Sequence, residues 1–125
     1  MKEHAFNSAP PGFTDVGNGA LKDKANKSQV SLFPLEILEC LSEPLEAGQK
    51  KGYERDNWMK GIDFRTSFEA AIRHLSLWQQ GVDYDSELET KYNFKMKHIN
   101  AALFHIANIA LMTKRNRIEL DNRGK

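Results

Sequence analysis

Four glutamates, Glu36, Glu39, Glu43 and Glu46, recur at spacings of 3, 4 and 3. At 100° per residue they fall within about 80° of one another on an α-helix. Like charges at i, i+4 cost a helix roughly a few tenths of a kcal/mol per pair. A divalent cation would offset that repulsion. Magnesium takes oxygen ligands, often one or two carboxylates together with substrate phosphates. A solvated face paired with lysines would offset it as well. Further along, Asp83, Asp85, Glu87 and Glu89 alternate in a short acidic stretch. They could supply ligands or simply face water. His98, His105 and Asn108 lie at spacings of 7 and 3, on one face of a helix with Ala101 between them. Burial would demand hydrogen-bond partners for all three.

Two other groups carry binding chemistry. Arg73 and His74 are adjacent. Glu69, four residues earlier, could pair with Arg73 on a helix surface, and His74 and Trp78 are i, i+4 neighbours. The segment Lys50-Lys51-Gly52-Tyr53-Glu54-Arg55-Asp56-Asn57-Trp58 combines cations, two aromatics and an amide. Its cations could hold phosphates and an aromatic could stack on a base. The same aromatics could equally anchor a loop on the core. Other chemistries are excluded. There is no GxxxxGK[ST] phosphate loop and no GxSxG elbow. Cys40 sits in an apolar helical pattern without an activating base. No His-Asp dipeptide is present.

Helices must position these residues. Leu35, Leu38, Leu41 and Leu45 form one apolar stripe running from Pro34 to about Lys51, where Gly52 ends it. Pro44 either kinks this helix or starts a second one. A second helix covers about Arg65 to Gln80, with Phe68, Ala71, Ile72, Leu75 and Trp78 as its buried face and Gly81 as its stop. Val82 to Asn93 reads as an acidic loop. A third helix runs from about Phe94 to Lys114, with Ile99, Ala102, Leu103, Ile106 and Ala110 as its apolar stripe. No segment shows strand alternation. The expected class is all-α: a small bundle of about three main helices with a flexible N-terminal arm. Three helices make a thin bundle, so completion by a homo-oligomer is expected. The boundaries read as an arm at 1–30, a helical domain at 31–114 and a charged, fraying tail at 115–125. Pro10-Pro11-Gly12 and Gly17-Asn18-Gly19 mark turns in the arm.

Composition narrows the partners. The chain has 125 residues, with 18 Lys plus Arg against 17 Asp plus Glu, a formal net charge of +1. That length suits one domain. The balance lacks the basic excess of a nucleic-acid binder. Lys114, Arg115, Arg117 and Arg123 form a weak patch diluted by Glu119 and Asp121. A single cysteine excludes an internal disulfide and fits a reduced, intracellular compartment. No run approaches the ~20 apolar residues that span a bilayer. The start, MKEHAFNSAPPG, lacks the apolar core of a signal peptide.

The order of these pieces resembles a phage-associated family, the dATP/dGTP diphosphohydrolases related to the MazG-like nucleotide pyrophosphatases. The pieces are Gly19-Ala20-Leu21-Lys22-Asp23, a leucine-rich helix ending Glu46-Ala47-Gly48, then Lys51, Tyr53, Asn57 and Trp58, then Arg73-His74-Leu75, then His98-Ile99. The resemblance covers about residues 17–112. Lys22 replaces the family's arginine, Met96 and Lys97 replace its acidic residues, and His105 stands where asparagine is usual. The resemblance implies hydrolysis of dGTP or dATP to monophosphate and pyrophosphate, in the host cytoplasm, adjusting the nucleotide pool of a replicating phage. It implies Mg²⁺ or Mn²⁺ held by Glu43 and Glu46 and completed by one or more of Asp85, Glu87 and His98. Glu43, Glu46 and His74 would serve catalysis. Lys22, Lys51, Tyr53, Asn57, Trp58 and Arg73 would bind substrate. The competing reading is a non-catalytic helical interaction protein, in which the acid stripe is solvated and metal does nothing.

Overall fold

The computed structural model of the chain describes residue 11 and residues 13–23 and 27–124. The expectations for the rest of the arm, and for its lack of a leader, lie outside these residues. The chain divides into a first unit, 1–33, and a second, 34–125. In the first, β1 (Phe13–Asp15) pairs antiparallel with β2 (Leu21–Asp23), with Thr14 opposite Lys22. Gly17, Asn18 and Gly19 all take positive φ and turn the chain between the strands. The turn signal was legible, but the three-residue strands are too short to show alternation.

The second unit is all-α, with α1 (Ile37–Lys50), α2 (Phe64–Gln79), α3 (Ser86–Tyr92) and α4 (His98–Lys114). No helix among the described residues is long and apolar enough to cross a membrane. Pro44 lies inside α1, which continues through it. It starts no second helix and simply cannot donate to Cys40 four residues back. α1 ends in paired reverse bonds, Tyr53 N–H to Gly48 O (3.0 Å) and Gly52 N–H to Gln49 O (2.9 Å). This closure needs the left-handed φ of +100° that Gly52 adopts. It turns the chain sharply, with Lys51 and Tyr53 on either side of the bend.

Two sequence expectations are corrected here. The acidic stretch is not a loop throughout, because Ser86–Tyr92 is helical. Asp85 caps it by accepting from Leu88 N–H at 3.0 Å, and Asn93 closes it at a left-handed φ of 53°. The third long helix starts at His98 rather than Phe94. Residues before it pair back across α3: Asp85 N–H donates to Met96 O (2.9 Å), and His98 N–H donates to Asp83 O (2.8 Å).

The packed faces also differ from the expected apolar stripes. α4 packs chiefly on α2 and then on α1. The α2 face that is buried carries Phe64, Ser67, Ala70, Ala71 and His74. Phe68, Ile72 and Trp78 stay exposed. On α4 the buried residues are His98, Asn100, Ala101, Ala102, Phe104, Asn108 and Met112, while Ile99 and Ile106 are exposed. Small residues, Ser67, Ala70, Ala71, Ala101 and Ala102, line this contact and let the two helices come close. The polar stripe of α4 therefore faces inward.

The tail is bonded back to the helical unit as far as Asn122. Arg117 donates to the carbonyls of Lys60 (3.2 Å) and Met59 (3.4 Å). Asn122 accepts from Arg65 N–H (2.9 Å) and donates to Asp63 Oδ1 (3.0 Å). Asp63 in turn caps α2 through Thr66 N–H at 2.9 Å.

Candidate metal centre and substrate cleft

Two helices and the α3 excursion bring three ligating side chains together. His74 comes from α2, His98 opens α4, and Asp85 is delivered by the antiparallel return across α3. Their ligand atoms all lie within 4.8 Å of one another, a cluster of at least three such groups found once among the described residues. His74 Nδ1 and His98 Nδ1 face each other at 2.8 Å. One proton between them can satisfy only one lone pair as acceptor. A shared cation would use both. Two nitrogens each about 2.1 Å from one ion stand about 3 Å apart at adjacent octahedral positions and about 3.4 Å apart in a tetrahedral site. The pair is therefore spaced as cation ligands are, and Asp85 supplies a carboxylate with one oxygen outside its Leu88 cap. Burial, His98 and then Arg73 hold the His74 imidazole down to about 4, against the opposing pull of Asp85. At neutral pH it is uncharged, which is the form that ligates metal. The donor set is compatible with a divalent cation.

The expected acidic ligands are distributed differently. Glu43 Oε1 accepts from Lys97 N–H (2.6 Å) and Asn100 Nδ2 (3.2 Å), tying α1 to the start of α4. Glu46 is exposed and lines a groove with Gln49, Arg55 and Asp56. Glu87 is exposed and pairs with Lys91 at 3.5 Å. None of the three joins the His74, Asp85 and His98 group. Glu43 is engaged by the backbone and side chain at the start of α4, next to His98 in sequence.

A cavity of about 230 Å³ opens next to the centre. Lys51, Tyr53, Asn57 and Trp58 line it, and His74 and His105 form part of its wall. The bend at Gly52 and the short turn at Asn57–Lys60 present the first four. Trp58 stands edge-on to Phe104 at 5.6 Å between centroids. Arg73 lies apart, exposed in a neighbouring groove with Glu69 and Asn122. It still acts on the cleft through its charge. Burial, Arg73 and Lys51 hold His105 below the usual imidazole range. Lys22 belongs to the first unit, on β2. Of the weak basic patch, Arg117 binds Glu119 (2.7 Å) and Arg123 binds Asp121 (2.7 Å).

Sequence reasoning placed His74, Asp85 and His98 on separate elements. Its expected ligand set joined Asp85 and His98 to acids of α1 and gave His74 a catalytic role. The shared polar stripe of His98, His105 and Asn108 was the available signal, because an inward polar stripe needs a polar partner across the helix pair. No curated protein matches the chain, and no solved structure does. Residues 17–123 match the sequence model of one family, described as dATP/dGTP diphosphohydrolase, N-terminal, and the chain belongs to that family.

Proposed function

We propose that the chain hydrolyses a purine deoxynucleoside triphosphate, dGTP or dATP, to the monophosphate and pyrophosphate. One observation carries this reading. The His74 ring belongs both to the His–Asp–His cluster and to the wall of a cleft lined by Lys51, Tyr53, Asn57 and Trp58. In this reading His74, His98 and Asp85 hold the cation. Two imidazoles in the donor set favour Mn²⁺ over Mg²⁺, which prefers oxygen. A cation held there would neutralise triphosphate charge and orient the attacking water. Lys51 holds phosphate oxygens. Tyr53 or Trp58 packs against the base, with Asn57 at its edge. A carboxylate outside the metal's ligands would take the proton from the water. The water oxygen then bonds to phosphorus and the P–O bond to pyrophosphate breaks. The setting is control of the deoxynucleotide pool in a phage-infected cell.

The test is a product assay. Purified protein is incubated with each of the four dNTPs, with Mn²⁺, with Mg²⁺ and with neither. The expected products are dGMP or dAMP with stoichiometric pyrophosphate, formed only with metal. Asp85→Asn lowers this turnover by roughly 100-fold or more. Glu46→Gln retains most of it, since Glu46 stands outside the His74–Asp85–His98 cluster. The reverse pattern moves the metal to α1. No hydrolysis of any triphosphate leaves the interaction-protein reading.

A further inference from the structure

His105 occupies a distinctive position. It lies two turns along α4 from His98, and its ring stacks on His74 at 6.5 Å between centroids with a 12° interplanar angle. The three imidazoles thus step from the metal centre into the cleft. The ring lines the same cleft as Lys51, and the positive charges of Arg73 and Lys51 both bear on it.

Its tautomer is set from behind. Ser67 and Asn108 are almost completely buried, at 0% and 1% exposure. Asn108 Nδ2 donates to Ser67 Oγ at 3.1 Å. Ser67 Oγ lies 3.4 Å from His105 Nδ1, a long contact. Having accepted from Asn108, the hydroxyl needs an acceptor for its own proton, and His105 Nδ1 is the one within reach. Nδ1 then carries a lone pair and the ring proton resides on Nε2. Turning the Asn108 amide over would let Ser67 donate to Oδ1, but would bury an unpaired NH₂. As placed, only the acceptor Oδ1 lacks a partner. A buried orphan acceptor is the more tolerable defect.

We infer that the Asn108–Ser67–His105 chain fixes His105 as an Nε2–H donor that holds a phosphate oxygen of a diphosphate or triphosphate in the cleft. This rests on the proposed function for the identity of the anion, and it assigns His105 a binding role.

The experiment is equilibrium binding by calorimetry, with inorganic pyrophosphate and with deoxyguanosine as separate probes. Binding is measured with Mn²⁺ on the full chain and needs no turnover. His105→Phe keeps a ring but removes the donor. It is expected to weaken pyrophosphate roughly tenfold or more and to leave deoxyguanosine unchanged. His105→Asn, which restores an N–H donor, recovers binding to within about threefold. Nitrogen-15 spectra of the histidine rings show the Nε2–H tautomer at His105 in the wild type and a mixture in Ser67→Ala. Circular dichroism confirms that each variant is folded. Pyrophosphate bound equally by His105→Phe and wild type overturns the assignment, as does a wild type that binds no pyrophosphate. A wild type that hydrolyses no triphosphate but loses pyrophosphate in His105→Phe overturns the proposed activity and upholds the phosphate contact.

Discussion

A carboxylate can cap a helix, hold a metal or face water, and its neighbours decide which. Asp85 both caps α3 and joins two imidazoles. Glu43 serves the start of α4. Sequence shows both as acids near polar stripes, and only the α3 return separates their roles. Asp63 shows what such a carboxylate does for stability. It accepts from Thr66 N–H, from Thr66 Oγ1 (2.8 Å) and from Asn122. These bonds favour the charged form and hold its carboxyl below its ordinary value of 3.8, Thr66 contributing most. With the folded value depressed, the unfolded chain binds the proton first as pH falls. The contribution is therefore complete above the unfolded value and is lost as pH falls through the folded one. The melting temperature is expected to drop on the acid side below about pH 4. Asp63→Asn keeps a capping oxygen but cannot titrate, so its Tm should fall less over that range. Identical acid limbs for the two proteins in thermal melts would remove Asp63 from the acid transition.

At the scale of elements, the existence of α1, α2 and α4 was legible because each carries a long apolar period, and α1 and α2 also have stop signals at Gly52 and Gly81. The facing of those helices was not. Hydrophobic period marks an apolar stripe, but close packing of α2 on α4 runs through Ser67, Ala70, Ala71, Ala101 and Ala102, small residues that give a weak signal. α3 was hidden because it is short and its charges read as loop. The clamped tail was hidden because its charges spend themselves on carbonyls and caps far away in sequence. Gly61 reveals how close that clamp is. Its φ is +117°, and a β-carbon there would meet Arg117 Nη2 at 2.9 Å and Leu120 Cδ2 at 3.0 Å. Gly61→Ala combines backbone strain with displacement of the tail, and should cost about 1–3 kcal/mol. Urea unfolding checks this. A shift within about 0.5 kcal/mol would mean the tail yields freely and the clamp contributes little.

Across the second unit the polarity is partly inverted: imidazoles, Ser67 and two asparagines lie inside while large apolar side chains face out. Phe68 is 55% exposed and Ile72 49% on α2, and Ile106 is 51% exposed on α4. Phe68 and Ile72 are one turn apart, so they share a face. Single exposed apolar residues are ordinary, but runs of them along helices mark association surfaces. The inward polar face lines the His74–Asp85–His98 cluster and the cleft. A second copy would cover the outward apolar face, the completion proposed for a thin bundle. A stable interface buries roughly 1,200–2,000 Å² in total, an area these helices could cover only with most of their outward stripes. Light scattering coupled to size exclusion should give the wild type a mass at least twice the 14.3 kDa chain. Phe68→Glu together with Ile106→Glu places charges on that face and should bring the mass to that of one chain. Because neither residue lines the cleft, the helical circular-dichroism signal and Mn²⁺ binding of the monomer report whether the His74–Asp85–His98 centre forms within one chain. A wild type already of single-chain mass would leave the exposed stripes without this role. A monomeric variant that keeps its helices but loses Mn²⁺ would show that the centre depends on the partner copy for its rigidity.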